Sequence, residues 1–113
     1  MDCIFCKIIQ GQAPANVVYE DAEIMAFDSI ESQAPTHILV IPKKHIATIS
    51  DASEEDGAIL GRLILKAREL AIAQYGDDAG YRLVFNVNQQ GGQTVYHVHL
   101  HLLSGRQMIW PPG

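Results

Sequence analysis

The sequence predicts an α+β fold in which an antiparallel β-sheet carries one long helix on one face. Two long strand patterns, over residues 81–87 and 95–103, are separated by the turn-forming residues 88–93, which favours an antiparallel hairpin with a loose loop. Only one stretch has the length and periodicity of a long helix, so helices do not alternate with strands as in parallel α/β folds. The chain has 113 residues, and we expect a single domain spanning 1–113.

The first half of the chain contains short apolar segments separated by polar or proline-containing turns. The segment 37–41 is apolar and β-branched, and Pro42 closes it, so it is predicted to be a strand buried on both faces. The other predicted elements are a helical turn over 3–9 that residues 10–14 end, and strands over 17–19 and 24–27 that flank a polar turn.

The long helix is predicted to begin after Ser53, which caps it together with Asp56 in a reciprocal capping box. Gly76 suits a left-handed cap at its other end. The apolar stripe, predicted to pack in the core, consists of Ile59, Leu63, Ala67 and Leu70, widened by Leu60, Ile64 and Ala71. The side chains predicted to lie away from that stripe are those of Lys66, Arg68 and Glu69.

Composition and charge exclude several classes of function. The net charge is −5, which disfavours a protein that wraps a nucleic-acid backbone, since such binding needs many Lys and Arg contacts. No apolar run is long enough to span a bilayer, and the N-terminus does not resemble a signal peptide, so we expect a cytoplasmic protein that binds neither nucleic acid nor membrane. In that compartment Cys3 and Cys6 are thiols or metal ligands rather than a disulfide.

Three of the five histidines lie within the run His97-Val98-His99-Leu100-His101. In a strand, alternate residues share a face, so the histidines are predicted to line one face, open to a cleft, while the apolar residues pack beneath the helix. Three interpretations compete: ordinary strand residues, a metal site, and acid, base or nucleophile chemistry. Histidine is not a favoured strand residue, which argues against the first.

The surroundings of this run favour a phosphoryl group as the ligand. Gly91 and Gly92 precede it, and glycines allow backbone N–H groups to approach an anion closely. Thr94 adds a hydroxyl group, and Asn86 offers an amide from the partner strand. Glycine, hydroxyl, amide and imidazole groups on one face indicate a phosphate-binding site.

The whole chain resembles the histidine triad family. The run His97–His101 matches the His-x-His-x-His motif with apolar x, preceded by the Gly-Gly-Gln of residues 91–93 and followed by the Trp-Pro-Pro-Gly tail of residues 110–113. Further matching segments are 3–9, 33–37, 40–45 and 105–109. The chain is most similar to the histidine triad nucleotide-binding branch, which are purine nucleoside phosphoramidases, and the resemblance implies their fold and a two-fold homodimer.

The resemblance also implies a reaction. His99 would attack the α-phosphorus of an adenosine or guanosine phosphoramidate and form a nucleotidyl-histidine, from which water releases the nucleoside monophosphate. His101 would donate to a phosphate oxygen or assist the leaving amine. A backbone carbonyl or His37 would hold the tautomer of the nucleophile. His97 would complete the catalytic set, and this scheme needs no metal.

For the nucleoside, the resemblance places Phe27 and Ile30 near the base. Ser29 departs from the family, which usually has an acidic residue there, and Asp28 lies one position earlier. Strand alternation argues against a simple exchange of the two. The complete set of expected nucleotide-binding residues is Phe27, Asp28, Ser29, Ile30, Asn86, Gly92, Thr94, Val95, His99, His101 and Trp110.

Three questions stay open at this stage. Trp110 is either a hydrophobic anchor or, by resemblance, part of a segment that crosses toward the partner subunit's site. Cys3, Cys6, His45 and His97 would form a closed, structural zinc site, but relatives without the metal also exist, and the pair can equally be buried thiols. The alternatives to the enzyme are a nucleotide-binding or adaptor domain with little turnover, and a metallohydrolase with three histidine ligands.

Overall fold

The computed structural model describes residues 3–113 and contains a five-stranded antiparallel sheet with a helix on each face. Its strands are β1 (Val17–Glu20), β2 (Ile24–Asp28), β3 (Thr36–Pro42), β4 (Tyr81–Phe85) and β5 (Leu100–Ser104), and its helices are α1 (Ile4–Ile9) and α2 (Gly57–Tyr75). The strand order is β1-β2-β3-β5-β4, and every neighbouring pair is antiparallel. The predicted α+β class is therefore confirmed.

The central strand β3 is buried along its whole length, as its apolar sequence predicts. Its alternate side chains enter two different layers. Ile38 and Val40 pack with α2, whereas Leu39 and Ile41 pack with Phe5 of α1. The histidine-bearing strand β5 lies next to β3, so it too has one face toward each helix.

The apolar residues of the histidine run pack beneath α2, as predicted. Val98, Leu100 and Leu102 share a core with residues of that helix. The helical residues buried there are Leu63, Ala67 and Ala71, with Ile59, Leu60 and Leu70 partly buried beside them. Burial of these side chains is the main contribution of α2 to stability, at about 25 cal/mol per Å² of apolar surface removed from water.

One detail of the predicted helix is wrong at its surface. The sequence places Ile64 in the apolar stripe, but Ile64 is 43% exposed, because it lies at the margin of the face that meets the sheet. Lys66, predicted to lie away from that stripe, places its ammonium group 3.7 Å from the centre of the Tyr19 ring. Its long apolar stem permits such packing while the charge stays near the surface.

The ends of α2 agree largely with expectation. Ser53 and Asp56 form the predicted capping box around a short 3-10 turn, Glu54–Asp56, that leads into the helix. Gly76 has a positive φ of 89°, as a glycine cap allows, but its ψ of 176° lies outside the left-handed helical region. None of the described helices is long and apolar enough to cross a membrane.

The two C-terminal strands pair as predicted, but both are shorter than their sequence patterns. The sequence pattern extends β4 to Val87 and starts β5 at Val95, whereas β4 ends at Phe85 and β5 begins at Leu100. The ladder stops there because β3 ends at Pro42, which has no N–H to donate. The Val98 N–H bonds instead to Ile46 O at 2.7 Å.

Candidate active site

The histidines are brought together by the register between β3 and β5. His37 of β3 pairs with Leu103, and Leu39 pairs with His101, so the two imidazoles point to the same face of the sheet. Their Nε2 and Nδ1 atoms are 2.8 Å apart. The ring centres of His101 and His99 are 4.9 Å apart. A line of three imidazoles therefore crosses two strands on the α1 side of the sheet.

His99 is held in one tautomer. Its Nδ1–H donates to the carbonyl oxygen of His97 at 2.8 Å, so the ring's other nitrogen, Nε2, carries a lone pair. The edge-on ring of Phe5 packs against it, with centres 5.1 Å apart. His99 is only 7% exposed, and burial lowers its pKa, which keeps the ring neutral. A neutral imidazole with a fixed lone pair is suited to nucleophilic attack.

His37 and His101 form a directed chain of hydrogen bonds. The backbone N–H of Gln33 donates to His37 Nδ1 at 3.1 Å, so His37 must carry its proton on Nε2 and donate it to His101 Nδ1. His101 therefore carries its own proton on Nε2, which lies 3.5 Å from Asn86 Nδ2 and, because both groups are donors, is left free to donate elsewhere. Burial, and then the charges of His99 and His37, lower the pKa of His101 to about 4. Burial also lowers the pKa of His37.

His97 lies on the same side as His99, but its ring faces a different set of side chains. It is 0% exposed, and its Nε2–H donates to the carbonyl oxygen of Pro42 at 2.7 Å. Its Nδ1 then faces His45 Nδ1 at 3.1 Å and the sulfur atoms of Cys3 and Cys6 at 3.4 and 3.5 Å. Burial lowers the pKa of His97, so this nitrogen presents a lone pair.

The ligand atoms of Cys3, Cys6, His45 and His97 all lie within 4.8 Å of one another. This is the spacing of atoms around one tetrahedral ion, since Zn–S and Zn–N bonds are about 2.3 and 2.0 Å long. Burial, and then a hydrogen bond and charge repulsion from Cys3, raise the pKa of the Cys6 thiol to about 11. The donor set and the hydrogen bond to Pro42 that orients His97 both fit a closed, structural metal site.

The arrangement also separates His97 from the other two histidines of the run. Among the described residues, the metal-ligand cluster contains His97 but neither His99 nor His101. Three histidine ligands around one metal therefore do not describe this geometry. The run is divided between a possible metal site and the line of imidazoles.

The expected nucleoside residues lie at the end of β2. Phe27 is buried in the α1 layer, with its ring centre 5.4 Å from that of Phe5. Asp28 pairs with Ile38, whose side chain belongs to the α2 core, so Asp28 points to the α2 face of the sheet, opposite to Phe27. Its carboxylate bonds to the side chain of Asn16. Ser29 follows the strand, and Ile30 is 99% exposed.

The remaining expected residues are dispersed in loops and the tail. Asn86 lies beside His101, Thr94 is exposed, and Val95 packs partly against the α1 layer. Gly92 has a positive φ of 83°, but its N–H donates to Gln89 O within the turn. Trp110 is 83% exposed in the single chain, so it is not a hydrophobic anchor to its own fold.

The structure adds three participants that the sequence analysis did not identify. Phe5 packs on the His99 ring, Gln33 orients His37, and Pro42 orients His97. Gln33 and Pro42 act through backbone groups, which leave no side-chain signal in a sequence. Phe5 had a usable signal, because it lies between two possible metal ligands in one helical turn.

Comparison with known proteins places this geometry in a family. The sequence model of the HIT domain matches residues 10–108. A HIT family hydrolase from Legionella pneumophila has 60% sequence identity and a TM-score of 0.96, covering 99% of this chain and 100% of the other. An uncharacterized HIT-like protein from Synechococcus elongatus is 53% identical over 99% of this chain and 97% of its own length.

A zinc-bound histidine triad family protein from Mycobacterium smegmatis is more distant, at 34% identity and a TM-score of 0.80 over 94% of this chain and 76% of the other. The fold, an antiparallel sheet with one long helix, thus agrees with that of the solved relatives. This chain belongs to the HIT domain family and has the fold of its hydrolases.

Proposed function

We propose that this protein hydrolyses the P–N bond of purine nucleoside 5′-phosphoramidates, of adenosine or guanosine, through a nucleotidyl intermediate on His99. The observation that carries the proposal is the Nδ1–H bond from His99 to the His97 carbonyl, which leaves Nε2 as the only free nitrogen of a buried, neutral ring. The fold of HIT family hydrolases gives the reaction class.

In the first step, the lone pair of His99 Nε2 attacks the α-phosphorus and the P–N bond to the amine breaks. The leaving amine takes up a proton from water, because the neutral His101 ring can support it with a hydrogen bond but has no proton to give up. In the second step, water attacks the same phosphorus, its proton is lost, and the bond between phosphorus and His99 Nε2 breaks to release the nucleoside monophosphate. Two moderate displacements thereby replace one difficult displacement.

His101 is the donor that supports both steps. Its Nε2–H is directed by His37 through the chain that begins at the Gln33 N–H. From there it donates to a non-bridging phosphate oxygen or assists the leaving amine. The Thr94 hydroxyl and the backbone N–H groups of Thr94 and Val95 provide further donors for the developing negative charge.

We propose that zinc bound by Cys3, Cys6, His45 and His97 has a structural role. It would supply a cross-link between the N-terminal α1 segment, the residues after β3 and the residues before β5, and none of the chemical steps above needs it. Support comes from the spacing of the four ligand atoms and from the zinc-bound relative.

We also propose that the protein is a homodimer. The edge strand β4 has no neighbour on its outer side within the described chain, and an exposed strand edge is commonly covered by another chain. The C-terminal tail lies near that edge, since the Arg82 guanidinium donates to Ile109 O, and exposes Trp110. Sedimentation equilibrium tests this: we expect a dimer mass, and a monomer at micromolar concentration would refute it.

The decisive experiment is rapid quenching after mixing with an adenosine 5′-phosphoramidate. We expect an acid-labile mass increase of one AMP group on the peptide that contains His99. His99→Ala should lose both the adduct and turnover. Tyr96→Phe, a neighbouring change at an exposed position, should retain both. Hydrolysis by His99→Ala at the parental rate would refute the nucleophile.

The same experiment separates the enzyme from the second candidate, a nucleotide-binding or adaptor domain. AMP binding without adduct formation or turnover would favour the adaptor. The directed proton chain through His37 and His101 favours the enzyme, because a pocket that only binds needs no such arrangement.

A further inference from the structure

Gln93 lies in the loop before the histidine run and is buried, with 6% of its surface exposed. Its side chain uses both ends. The amide oxygen accepts from the Asn88 N–H at 3.0 Å, and the amide nitrogen donates to Ala47 O at 2.8 Å and Val95 O at 3.0 Å. One side chain thus joins three separate backbone positions.

We propose that Gln93 is a positioning residue that holds the phosphate-side loop in its binding geometry. This inference rests on the proposed function, because it assigns the 91–95 loop to the phosphate. Both hydrogens of the Gln93 amide nitrogen and its oxygen are engaged by the protein, so the side chain acts on a ligand through the loop and not by direct contact.

The loop needs such a brace because its backbone is unusual. Asn88 has a positive φ of 61°, which is uncommon for a residue other than glycine, and Gly92 has a φ of 83°. A side chain at Gly91 would collide with the backbone of Val87. The Asn88 N–H that donates to Gln93 therefore belongs to the residue with the positive φ.

The braced segment carries the donors that a phosphate would use. Within 91–95 of the described chain, the N–H groups of Gly92 and Gln93 bond inside the turn, whereas those of Thr94 and Val95 donate to no protein acceptor. Val95 also packs into the α1 layer that contains Phe5, which contacts His99. The bond from Gln93 to the Val95 carbonyl therefore also holds the N–H groups of Thr94 and Val95 near the α1 layer that contacts His99.

The other end of the brace reaches the segment that carries His45. Gln93 donates to Ala47 O, and the Val98 N–H donates to Ile46 O of the same segment. The loop is thereby attached to a backbone that is itself bonded to the histidine run. If Gln93 served only general stability, its replacement would not weaken the binding of a nucleotide more than that of the nucleoside without phosphate. That difference provides the basis for a test.

The experiment compares AMP with adenosine, which share a nucleoside and differ in the phosphate. Gln93→Met removes all three bonds at similar length. Gln93→Glu keeps the acceptor for Asn88 but turns an oxygen toward two carbonyl groups. For both variants we expect the Kd of AMP, measured by calorimetry, to rise about tenfold or more while that of adenosine stays within about twofold. Gln90→Met, an exposed change in the same loop, should alter neither.

Equal losses of AMP and adenosine affinity would overturn the positioning role, and so would unchanged affinity for both. A second measurement uses the unaltered protein and does not depend on variants that fold. AMP, but not adenosine, should shift and protect the amide resonances of Thr94 and Val95. Their insensitivity to AMP would also overturn the inference. If the unaltered protein binds no AMP, the proposed function itself fails and this inference with it.

Discussion

The imidazole of His99 donates its Nδ1 proton to the main-chain carbonyl of His97, two residues earlier. The same His97 presents its own side chain to Cys3, Cys6 and His45. A candidate metal ligand and a candidate nucleophile are thus joined by one short hydrogen bond from a side chain to a backbone carbonyl. The division of work within the histidine run follows from that geometry, because the ring of one residue and the carbonyl of the same residue serve different sites.

The hydrogen bonds predict the tautomer of each histidine on the sheet. At pH 7.5, long-range ¹H–¹⁵N spectra should show His99 protonated on Nδ1, and His37 and His101 protonated on Nε2, because each has a partner that fixes the other nitrogen. His99 protonated on Nε2 would contradict the nucleophile assignment. Assignment by single His→Gln variants identifies the signals.

Replacement of His101 tests the hydrogen-bond donor. His101→Gln, which loses the Nε2–H directed by His37, should lower kcat by about 10²-fold for an alkylamine leaving group, the usual cost of removing one donor to developing charge. The loss should be smaller for a weakly basic arylamine, since that leaving nitrogen needs less support from a hydrogen bond. A loss that is the same for both amines would assign His101 to the phosphate oxygen rather than to the amine.

Stability should fall with acidity because His101 is held neutral. Its pKa is lowered from 6.5 to about 4 in the fold, mainly by burial, with His37 of β3 and the adjacent His99 adding repulsion. Below pH 6.5 the unfolded chain binds a proton that the folded chain does not, so the free energy of unfolding falls down to about pH 4 and is independent of this group above pH 6.5.

Urea unfolding between pH 4.5 and 7.5 measures this effect. His101→Gln should show a pH slope that is shallower by up to about one proton in that window. The difference between the two proteins isolates His101 from the other histidines, which both retain. Identical slopes would show that the His101 ring titrates normally in the fold.

The sequence predicted the elements well where periodicity reports burial directly. The buried strand β3, the capping box at Ser53 and the apolar face of Val98, Leu100 and Leu102 all follow from local patterns. It failed at the start of β5, since alternation continues through residues 95–99 although the ladder with β3 ends at the Val40–Leu100 pair. Alternation describes side-chain direction in extended chain and does not require a hydrogen-bonded neighbour.

The candidate site was predicted in its residue types but not in its orientation. His37, His99 and His101 lie on one face, but a carbonyl rather than His37 holds the His99 tautomer, and Phe5 packs against His99, so that ring is not left open. Backbone groups of His97, Gln33 and Pro42 fix the rings of His99, His37 and His97, in that order. Any residue type presents such groups, so only the fold can identify them.

Metal removal should affect the fold through the four-ligand cluster. The purified protein is expected to hold about one zinc ion per chain, and chelation should lower its Tm, because an ion bound only by the folded state stabilises it. Cys6→Ser should reduce the zinc content and lose most of this response to chelator. A Tm of the unaltered protein that is insensitive to complete chelation would contradict the structural role.

Ribose recognition should depend on Ser29 and not on Asp28. Asp28 faces the α2 side of the sheet and is bonded to Asn16, so Asp28→Asn should leave the ratio of AMP to 2′-deoxy-AMP affinity within about twofold. Ser29→Asp adds a charged acceptor at the end of β2 and should raise that ratio about 10- to 150-fold, since a hydrogen bond to a charged group is worth about 1.5–3 kcal/mol. Calorimetry with both nucleotides measures the two ratios. Loss of discrimination in Asp28→Asn would mean that the Asp28 carboxylate leaves Asn16 and turns to the ribose when the nucleotide binds.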